Sequence, residues 1–521
     1  MSEIKETKAE RVERIKKEKD GLDVLADIHA LAKSGELADS DTVERLKWYG
    51  LYTQKPGTVD GISQRFMLRV KLIDGKATKE QLRVLGEVSL KYAQDTADIS
   101  TRQAIQLHWI QIKDLPTIFE KLTKVGISTQ MAAGDCPRNT VVCPVCDVDP
   151  TSYEDTSKYV RDINAFFQDN KNFSNLPRKF KIGVSACSCH CMGHEIQDVG
   201  FTGLLHQGKT LYDICIGGGL GSGKRIASRL GIACAGEDIV KVSKAVAQIH
   251  RDSGDRTSRT KARVRHIIDE WGVVQFREEL EKIANDVNFI AVDEPKITPQ
   301  KNRGHFGVHP SKVAGKSFIG TSLHGGILSG TKILKLVELM DKTGTQTSRV
   351  TTKQNIVFLD VPDEKTAQFV EALAQEEIYA YPNAFNANMV TCTGKQYCKF
   401  AVAETKDFGA EVAQYLKNRF PNFEDTICFN FSGCPNSCGH THIGDFGFMG
   451  CKVKVDGETQ EGYEIYLGGN LEGEKSQFAV KTGVKKSLEE LPQFLGDIIE
   501  EYDKNRNSYA NFQEYIQQKE I

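Results

Sequence analysis

The chain has 521 residues, 40 % of them hydrophobic and 26 % charged, and a formal net charge of -2. This length exceeds one ordinary hydrophobic core, so we expect roughly two to four structural units. The near-neutral charge and the lack of a known binding motif argue against a nucleic-acid-binding protein, and no apolar run approaches the length of a membrane span.

The N-terminal segment MSEIKETKAERVERIKKEKD is polar and charged, without the apolar core of a secretion signal. Fourteen cysteines are few for so long a chain, and nothing directs it to an oxidising compartment. We therefore predict a cytoplasmic protein whose thiols are free or bound to metal.

An internal repeat follows this segment. Residues 65–75 (RFMLRVKLIDG) and 98–110 (DISTRQAIQLHWI) are echoed by 316–330 (KSFIGTSLHGGILSG) and 348–361 (SRVTTKQNIVFLDV), with Gln103 and Gln354 in the same place. In each copy an apolar, β-rich run leads into a helix, then a second strand and a second helix. This order predicts a duplicated α+β unit with helices on one face of an antiparallel sheet.

Several cations lie on or beside apolar runs of the first half, where an unpaired charge would be costly if buried. Each could extend its charged end into solvent or pair with a carboxylate. Lys179 and Lys181 are more informative, because alternation along a strand points both to the same face, where they repel unless an anion lies between them. The whole group is Arg69, Arg102, Arg138, Lys179 and Lys181.

Two further segments of the first half need interpretation. The run IGGGLGSGKR (216–225) lacks the Ser or Thr that a phosphate-binding loop needs after its lysine, so we interpret its glycines as close approach to a flat cofactor. The segment GDRTSRTKARVRH contains a basic group that is either a solvated helix face or a site for a polycarboxylate. That group is Arg256, Arg259, Lys261 and Arg263.

Four cysteines near the C-terminus form the most specific pattern. Cys392 and Cys398 lie in CTGKQYC, and Cys434 and Cys438 lie in SGCPNSCG. The adjacent glycines and proline place these thiols on turns, which suits four ligands around an iron-sulfur cube. A zinc site and inert core thiols remain alternatives at this stage, although the usual zinc spacings are absent.

Taken together, these motifs resemble the siroheme-containing sulfite and nitrite reductases over residues 40 to 505. The resemblance rests on CTGKQYC, SGCPNSCGHTHIGDFGFMGC, the TRQ and TKQN repeats, LPRKFK, IGGGLG and FGVHPSK. It implies an α+β fold with pseudo-twofold symmetry, in which three domains surround a central siroheme and [4Fe-4S] site. The implied organisation is an N-terminal helical arm (1–60), ferredoxin-like half-domains (61–128 and 301–380), a siroheme- and substrate-binding domain (129–300) and a cluster- and siroheme-binding domain (381–521).

The resemblance also implies roles for individual residues. The cysteine quartet would bind the cluster, with Cys438 also ligating the siroheme iron. Arg69, Arg138, Lys179 and Lys181 would bind the substrate anion and deliver protons. The macrocycle would contact Arg102, Gln106 and Asn436, the glycines Gly217, Gly218 and Gly219, and a carboxylate cradle of Arg256, Arg259 and Lys261.

The resemblance implies a six-electron reduction, with reduced ferredoxin as the electron donor. We expect sulfite rather than nitrite as the substrate, because nitrite-reducing relatives usually carry Asn in place of Lys181. Tyr52 and Cys136 resemble a pair joined by a thioether in one ferredoxin-dependent subgroup, and two unlinked neighbours are the alternative.

Some residues depart from the family pattern. Cys143 and Cys146 form a C-x2-C pair, and Cys187, Cys189 and Cys191 crowd the segment CSCHCMGH. These five are either free thiols or part of a second metal or cluster site, with free thiols favoured. His440 and His442, after the last quartet cysteine, suggest a role in proton relay or in tuning the cluster.

Overall fold

The computed structural model describes residues 6–55, 64–297 and 304–520. The domain boundaries predicted at 60/61 and 300/301 lie outside these residues. The helices of the described chain are α1 (Lys8–Glu18), α2 (Leu25–Ser34), α3 (Ser40–Arg45), α4 (Lys79–Tyr92), α5 (Leu115–Lys124), α6 (Ser157–Phe167), α7 (Lys171–Ser174), α8 (Ile239–Ser253), α9 (Val264–Ile283), α10 (Gly330–Thr343), α11 (Thr366–Gln375), α12 (Gly394–Tyr397), α13 (Lys406–Arg419), α14 (Leu491–Lys504) and α15 (Phe512–Gln518). No helix within those three described ranges is both long enough and apolar enough to cross a membrane.

The strands of the same described residues form four sheets. They are β1 (Leu51–Thr53), β2 (Phe66–Lys71), β3 (Lys76–Thr78), β4 (Ala97–Ile99), β5 (Ala104–Ile110), β6 (Val141–Val142), β7 (Ile182–Ser185), β8 (Val199–His206), β9 (Lys209–Ile216), β10 (Ser228–Ala235), β11 (Ile290–Ala291), β12 (Gly307–Pro310), β13 (Lys316–Thr321), β14 (Thr347–Val350), β15 (Ile356–Pro362), β16 (Asn388–Thr391), β17 (Cys428–Ser432), β18 (Phe446–Val455), β19 (Glu458–Leu467) and β20 (Val480–Ser487). The sheet orders are β1-β2-β5-β4, β11-β10-β9-β8-β7-β6, β12-β13-β15-β14-β3 and β16-β17-β18-β19-β20.

The two repeat copies form one central unit. Each contributes an antiparallel sheet, and a single hydrophobic core runs through both, from Val24 and Leu85 in the first half to Leu336 and Phe369 in the second. Strand β3 of the first copy pairs with β14 of the second, so the first copy contributes one strand to the sheet of the second. This arrangement confirms the predicted duplicated α+β fold.

The two larger sheets share one topology. In the first, β6, β7 and β8 are parallel neighbours and β8 to β10 run antiparallel. In the second, β16, β17 and β18 are parallel and β18 to β20 are antiparallel. The carboxyl ends of the parallel strands therefore lie at equivalent places in the two halves, and the loops that follow them carry the cysteines.

Gln103 and Gln354 join the two halves through reciprocal hydrogen bonds. Gln103 donates through Nε2 to Val350 O (2.9 Å) and accepts at Oε1 from the Val142 backbone N–H (2.8 Å). Gln354 donates to Ile99 O (2.9 Å) and accepts from Thr391 N–H (2.8 Å). Both residues have a left-handed backbone, with φ of 51° and 62°. Each glutamine thus fixes the strand end that directly precedes Cys143 or Cys392.

A buried arginine adds a charged link between the halves. Arg349 on β14 is fully buried and pairs with Asp147 (2.6 Å) and Asp74 (3.4 Å) from the first half. The charge of Arg349 offsets the effect of burial on Asp147 and lowers the pKa of that carboxyl to about 2. Removal of this arginine would leave buried carboxylates without their main partner.

We expect Arg349→Ala to lower the free energy of unfolding by about 3–5 kcal/mol, because one partner of a buried ion pair is lost. Arg83→Ala is the matched control, because Arg83 also links the two halves through Asp341 but is partly exposed. This control substitution should lower the free energy of unfolding by about 1 kcal/mol or less. Urea unfolding followed by tryptophan fluorescence measures both losses. Equal losses in the two variants would contradict this account.

Candidate active site

The cysteine quartet lies on two loops that pack against each other. Cys392 follows β16, and its N–H donates to Phe431 O (2.9 Å); Cys434 and Cys438 follow β17. Val402 N–H donates to Gly433 O (2.8 Å) and holds the loop of Cys398 against that of Cys434. The two loops therefore bring all four predicted thiols to one edge of the sheet.

The local sequence suits a cluster held by thiolates. The N–H groups of Gly433 and Gly394 donate to Cys392 Sγ at 3.2 and 3.4 Å, and such bonds stabilise a sulfur that carries negative charge. At Gly439, a Cβ atom would lie 1.9 Å from Phe431 O, so only glycine fits beside Cys438.

Arg69 and Gln106 face each other across β2 and β5. Arg69 donates to Gln106 Oε1 (3.1 Å), and Gln106 donates to Thr393 Oγ1 (3.3 Å), the neighbour of Cys392. Arg69 Nε is buried without a hydrogen-bond partner among the described residues. A chain of polar contacts therefore runs from the cysteine loop to a guanidinium group that can still bind an anion.

Arg138 lies beside Arg69 and shares Tyr52 with it. The Arg138 guanidinium contacts Tyr52 Oη (3.4 Å), and the Arg69 guanidinium lies over the Tyr52 ring, 5.5 Å from its centre. Burial by itself raises the pKa of Tyr52, but the charges of Arg138 and Arg69 outweigh it and lower the pKa to about 7. Tyr52 can therefore exchange a proton near neutral pH.

Lys179 and Lys181 lie just before β7, and not within it as the sequence suggested. Phe180 between them forms a bridge to Pro137, so the backbone is locally paired and the lysines alternate around it. Their ammonium groups have no hydrogen-bond or ion-pair partner in the described part of the chain. Burial and the nearby cations Arg263, Arg178 and Arg138 lower the pKa of Lys179 to about 8, and burial and Lys179 lower the pKa of Lys181.

Asp198 is the carboxylate nearest to the lysine pair, and other groups occupy it. It accepts the Lys181 backbone N–H (2.8 Å) and two bonds from Arg263, each of 2.8 Å. Asp198 still attracts Lys181 electrostatically, but neither lysine ammonium has an ion-pair partner among the described residues. Cys438, the most exposed quartet cysteine, interacts electrostatically with both Arg69 and Lys179. Arg69, Lys179 and Cys438 therefore lie near one another.

Arg102 and His440 lie on the far side of the lysine pair. Arg102 donates to Gln197 Oε1 (2.6 Å) and Ile182 O (3.2 Å), while its buried Nε has no partner among the described residues. Burial, Lys181 and Arg102 together lower the pKa of His440 to about 3, so its imidazole is neutral. A cavity of about 60 Å³ is lined by Arg102, Lys181 and His440. His442, unlike His440, is not among the residues that line this cavity, and its ring packs against Tyr466 and Phe478.

The glycine run contacts protein groups. A Cβ atom on Gly218 would lie 2.3 Å from Glu195 O, and one on Gly219 would lie 2.8 Å from an Arg265 nitrogen; Gly217 has φ of 76°. Gly221 approaches Asn436 O, which is how the run reaches the loop of Cys434 and Cys438. These contacts account for the glycines without a cofactor, so a cofactor contact by Gly217, Gly218 and Gly219 stays a prediction.

Sequence analysis missed Arg265, a buried arginine beside this run. Burial and the charge of Arg263 lower the pKa of Arg265 to about 10, and its guanidinium donates to Leu220 O (3.3 Å). Its position two residues after Arg263 in the otherwise apolar segment ARVRHII was the available signal.

The predicted carboxylate cradle is largely occupied by protein groups. Arg256 pairs with Glu13 (2.8 Å), Arg259 forms a bidentate pair with buried Asp135, and Lys261 is exposed. Both carboxylates come from distant parts of the chain.

Cys136 lies in a small hydrophobic cluster. Its Sγ lies 3.0 Å from Ala133 O and packs with Leu22, Trp48 and Met131. The thioether between Tyr52 and Cys136 stays a prediction.

Comparison with known proteins identifies the family. The model described as "Nitrite and sulphite reductase 4Fe-4S domain" matches residues 133–286 and 383–519, and the model described as "Nitrite/Sulfite reductase ferredoxin-like half domain" matches 62–125 and 309–376. The chain belongs to the nitrite and sulfite reductase family. Its cofactors are therefore siroheme and a [4Fe-4S] cluster, which fit a site of four turn-borne thiols beside two lysines whose ammonium groups have no partner among the described residues.

Individual relatives cover almost the whole chain. A "Sulfite reductase [ferredoxin] 1" of Mycolicibacterium paratuberculosis is 35 % identical over 93 % of this chain and 90 % of its own length. A "Ferredoxin--nitrite reductase" of Synechococcus elongatus is 32 % identical over 94 % and 96 %. The solved structure of the Mycobacterium tuberculosis NirA protein superimposes with a TM-score of 0.92 at 31 % identity, covering 98 % of this chain and 96 % of that one.

We expect kcat/KM for a small anionic substrate to fall as pH rises through about 8, because the pKa of Lys179 is lowered to about 8 and the ammonium loses its charge above that value. Lys179→Arg should move the fall to higher pH, since a guanidinium keeps its proton. Steady-state rates across pH 6–10 with a fixed donor measure the effect. A fall at the same pH in wild type and Lys179→Arg would exclude Lys179 as its source.

Proposed function

We propose that this protein reduces sulfite to sulfide with electrons from reduced ferredoxin; reduction of nitrite to ammonia by the same cofactors is the alternative. The observation that carries the proposal is the pair of ammonium groups on Lys179 and Lys181. They lie beside Arg69 and Arg138 without acceptors among the described residues, in a space that Cys438 also faces. Siroheme and the cluster, when bound, would supply the redox chemistry of a six-electron reduction.

The cations perform two tasks in this proposal. Arg69 and Arg138 bind and orient the anion, because their positive charge attracts it and stabilises the charge that develops as its oxygens leave. Each departing oxygen needs protons to leave as water, and the donors must have pKa values near the working pH. The pKa of about 8 at Lys179 and about 7 at Tyr52 meet this requirement.

We assign the cofactor ligands on the same basis. Cys392, Cys398, Cys434 and Cys438 would hold the cluster, and Cys438 would also bind the siroheme. Arg102, with its partnerless Nε, and Arg265 are the best-placed cations for the carboxylates of the macrocycle. Arg256 and Arg259 support the site indirectly, through Glu13 and Asp135.

The lysine pair also bears on the substrate. Sulfite is larger and more highly charged than nitrite, so a second ammonium group stabilises it more. A relative named as a sulfite reductase, from Mycolicibacterium paratuberculosis, and one named as a nitrite reductase, from Synechococcus elongatus, match this chain to a similar extent. The choice between the anions therefore depends on Lys181 rather than on overall similarity.

A candidate ferredoxin surface lies beside Cys398. Lys399 and Phe400 follow this cysteine directly, and the Phe400 side chain is 58 % exposed. The Lys399 ammonium reaches Thr53 Oγ1 (2.6 Å), while Lys55 donates to Lys395 O (3.0 Å). Basic groups around an exposed aromatic ring suit an acidic protein that must deliver electrons to the cluster.

The cytoplasm remains the predicted location. None of the fourteen cysteines, all of which lie in the described part of the chain, forms a disulfide, and this is typical of a reducing compartment.

The proposal is tested by kcat/KM for sulfite and for nitrite, with the same reduced ferredoxin and cofactor-replete enzyme. We expect sulfite to be preferred in wild type, and Lys181→Asn to shift the ratio toward nitrite by about tenfold, or about 1.4 kcal/mol. Lys209→Asn, at an exposed lysine of β9, is the matched control and should leave the ratio unchanged. An unchanged ratio in Lys181→Asn would remove the reason for choosing sulfite.

Charge reversal tests the donor surface. We expect Lys399→Glu to raise KM for ferredoxin about tenfold, because like charges then meet at the contact. Activity with reduced methyl viologen, a small donor that needs no docking surface, should not change. Lys417→Glu, at an exposed position of α13, is the control. Parallel losses with both donors would show that the substitution damages the cluster loop instead.

A further inference from the structure

A second group of metal-ligating side chains lies in the first half of the chain, outside the proposed active site. The ligand atoms of Cys143, Cys191 and His305 all lie within 4.8 Å of one another, with Cys143 Sγ 4.0 Å from His305 Nε2. Cys187 lies at the edge of this group, because its thiol contacts that of Cys143 although it is outside the set of atoms within 4.8 Å of one another. Cys143 and Cys187 are buried, and Cys191 and His305 are partly buried.

This group occupies the place that corresponds to the cluster ligands in the other half. Cys143 follows β6 as Cys392 follows β16, and Cys187 and Cys191 follow β7 with the same C-x3-C spacing that Cys434 and Cys438 have after β17. Gln103 holds the backbone before Cys143 as Gln354 holds that before Cys392. The duplication therefore built two sites of thiols, and the first half kept three of the four.

The fourth ligand differs between the two sites. Cys146, the second cysteine of the C-x2-C pair, points away, since its Sγ lies 3.8 Å from the Arg349 guanidinium and 3.9 Å from Asp155. His305 takes the fourth position. Its backbone adopts φ of 53°, unusual for a residue other than glycine, and its carbonyl lies so close to Gly320 that a Cβ atom there would be 1.7 Å away. The histidine is thus held in place by β13.

The distances between the ligand atoms distinguish a site for one metal ion from a site for a four-iron cluster. No three of the sulfurs of Cys392, Cys398, Cys434 and Cys438 lie within 4.8 Å of one another, as expected of ligands spread around a four-iron cube. The ligand atoms of Cys143, Cys191 and His305 are much closer together. A single zinc ion with Zn–S bonds of about 2.3 Å in tetrahedral geometry places its ligand atoms about 3.8 Å apart. The separation of 4.0 Å between Cys143 Sγ and His305 Nε2 fits this arrangement.

We propose that Cys143, Cys187, Cys191 and His305 bind one structural zinc ion. Three thiolates and one histidine are a usual ligand set for zinc in a closed, four-coordinate site. The ion would tie the loops after β6 and β7 to the segment before β12, and so join the first large sheet to the second half-domain. Cys189 lies next to this group and is not assigned as a ligand. Its thiol contacts that of Cys187, and Cys189 is more exposed than Cys187.

Metal content of the full-length enzyme, purified anaerobically with its cofactors, tests the proposal. We expect about one zinc per chain, in addition to about five iron atoms from the cluster and siroheme. Cys191→Ser should lose most of the zinc while the iron content stays the same. Cys189→Ser is the matched control, two residues away, and should keep its zinc.

Zinc K-edge X-ray absorption gives a second readout on wild-type enzyme, so it does not depend on a variant that folds. We expect about three sulfur ligands near 2.3 Å and one nitrogen near 2.0–2.1 Å.

Wild-type enzyme without zinc, in which Cys143, Cys187 and Cys191 react with iodoacetamide in the native state, would overturn the proposal. Iron and sulfide beyond one cluster would also overturn it, as evidence for a second cluster in place of zinc. Retention of zinc in Cys191→Ser would contradict the ligand assignment. None of these results depends on which anion the enzyme reduces.

Discussion

The reciprocal bonds of Gln103 and Gln354 are the interaction on which the rest of the architecture depends. Each amide reaches across to the other half and also holds the strand end before the first cysteine of its own half. Both side chains are buried, where an unpaired amide would be costly, so the register of the two halves is strongly specified. The position of Cys392 relative to Arg69 and Gln106 follows from that register, through Thr393.

The proposed active site concentrates positive charge that has few carboxylate partners. Several other buried arginines are paired: Arg349 has Asp147, Arg263 has Asp198 and Arg259 has Asp135. The ammonium groups of Lys179 and Lys181 have no such ion-pair partner among the described residues, although Asp198 accepts the Lys181 backbone N–H. Such an arrangement is unfavourable in isolation and becomes favourable when anions bind. In the proposed function, this local cost in stability leaves charge available for the cofactor and the substrate.

The features that could be predicted from sequence are motifs whose residues are close together in the chain. The cysteine quartet consists of two short motifs, the lysine pair lies in one segment, and each glutamine lies in a short sequence that recurs in the other copy, so these patterns were readable. The partners of Arg256 and Arg259 were not, because Glu13 and Asp135 are remote in the chain and only the tertiary fold brings them near. Likewise, His305 lies far from Cys143 in sequence, and the glycines of the 216–225 run are explained by Glu195 and Arg265 rather than by any local signal.

The pairing of β3 with β14 has a consequence for biosynthesis. Thr78 lies opposite Thr347, so the sheet of the second half-domain is incomplete without a strand made much earlier. A ribosome that adds about 5–20 residues per second needs many seconds to make the intervening chain. During that interval the edge of β3 and the apolar residues of the shared core have no final partner. Assembly of the central domain is therefore a late event, and unpaired strand edges of this kind are where nascent chains depend on chaperones.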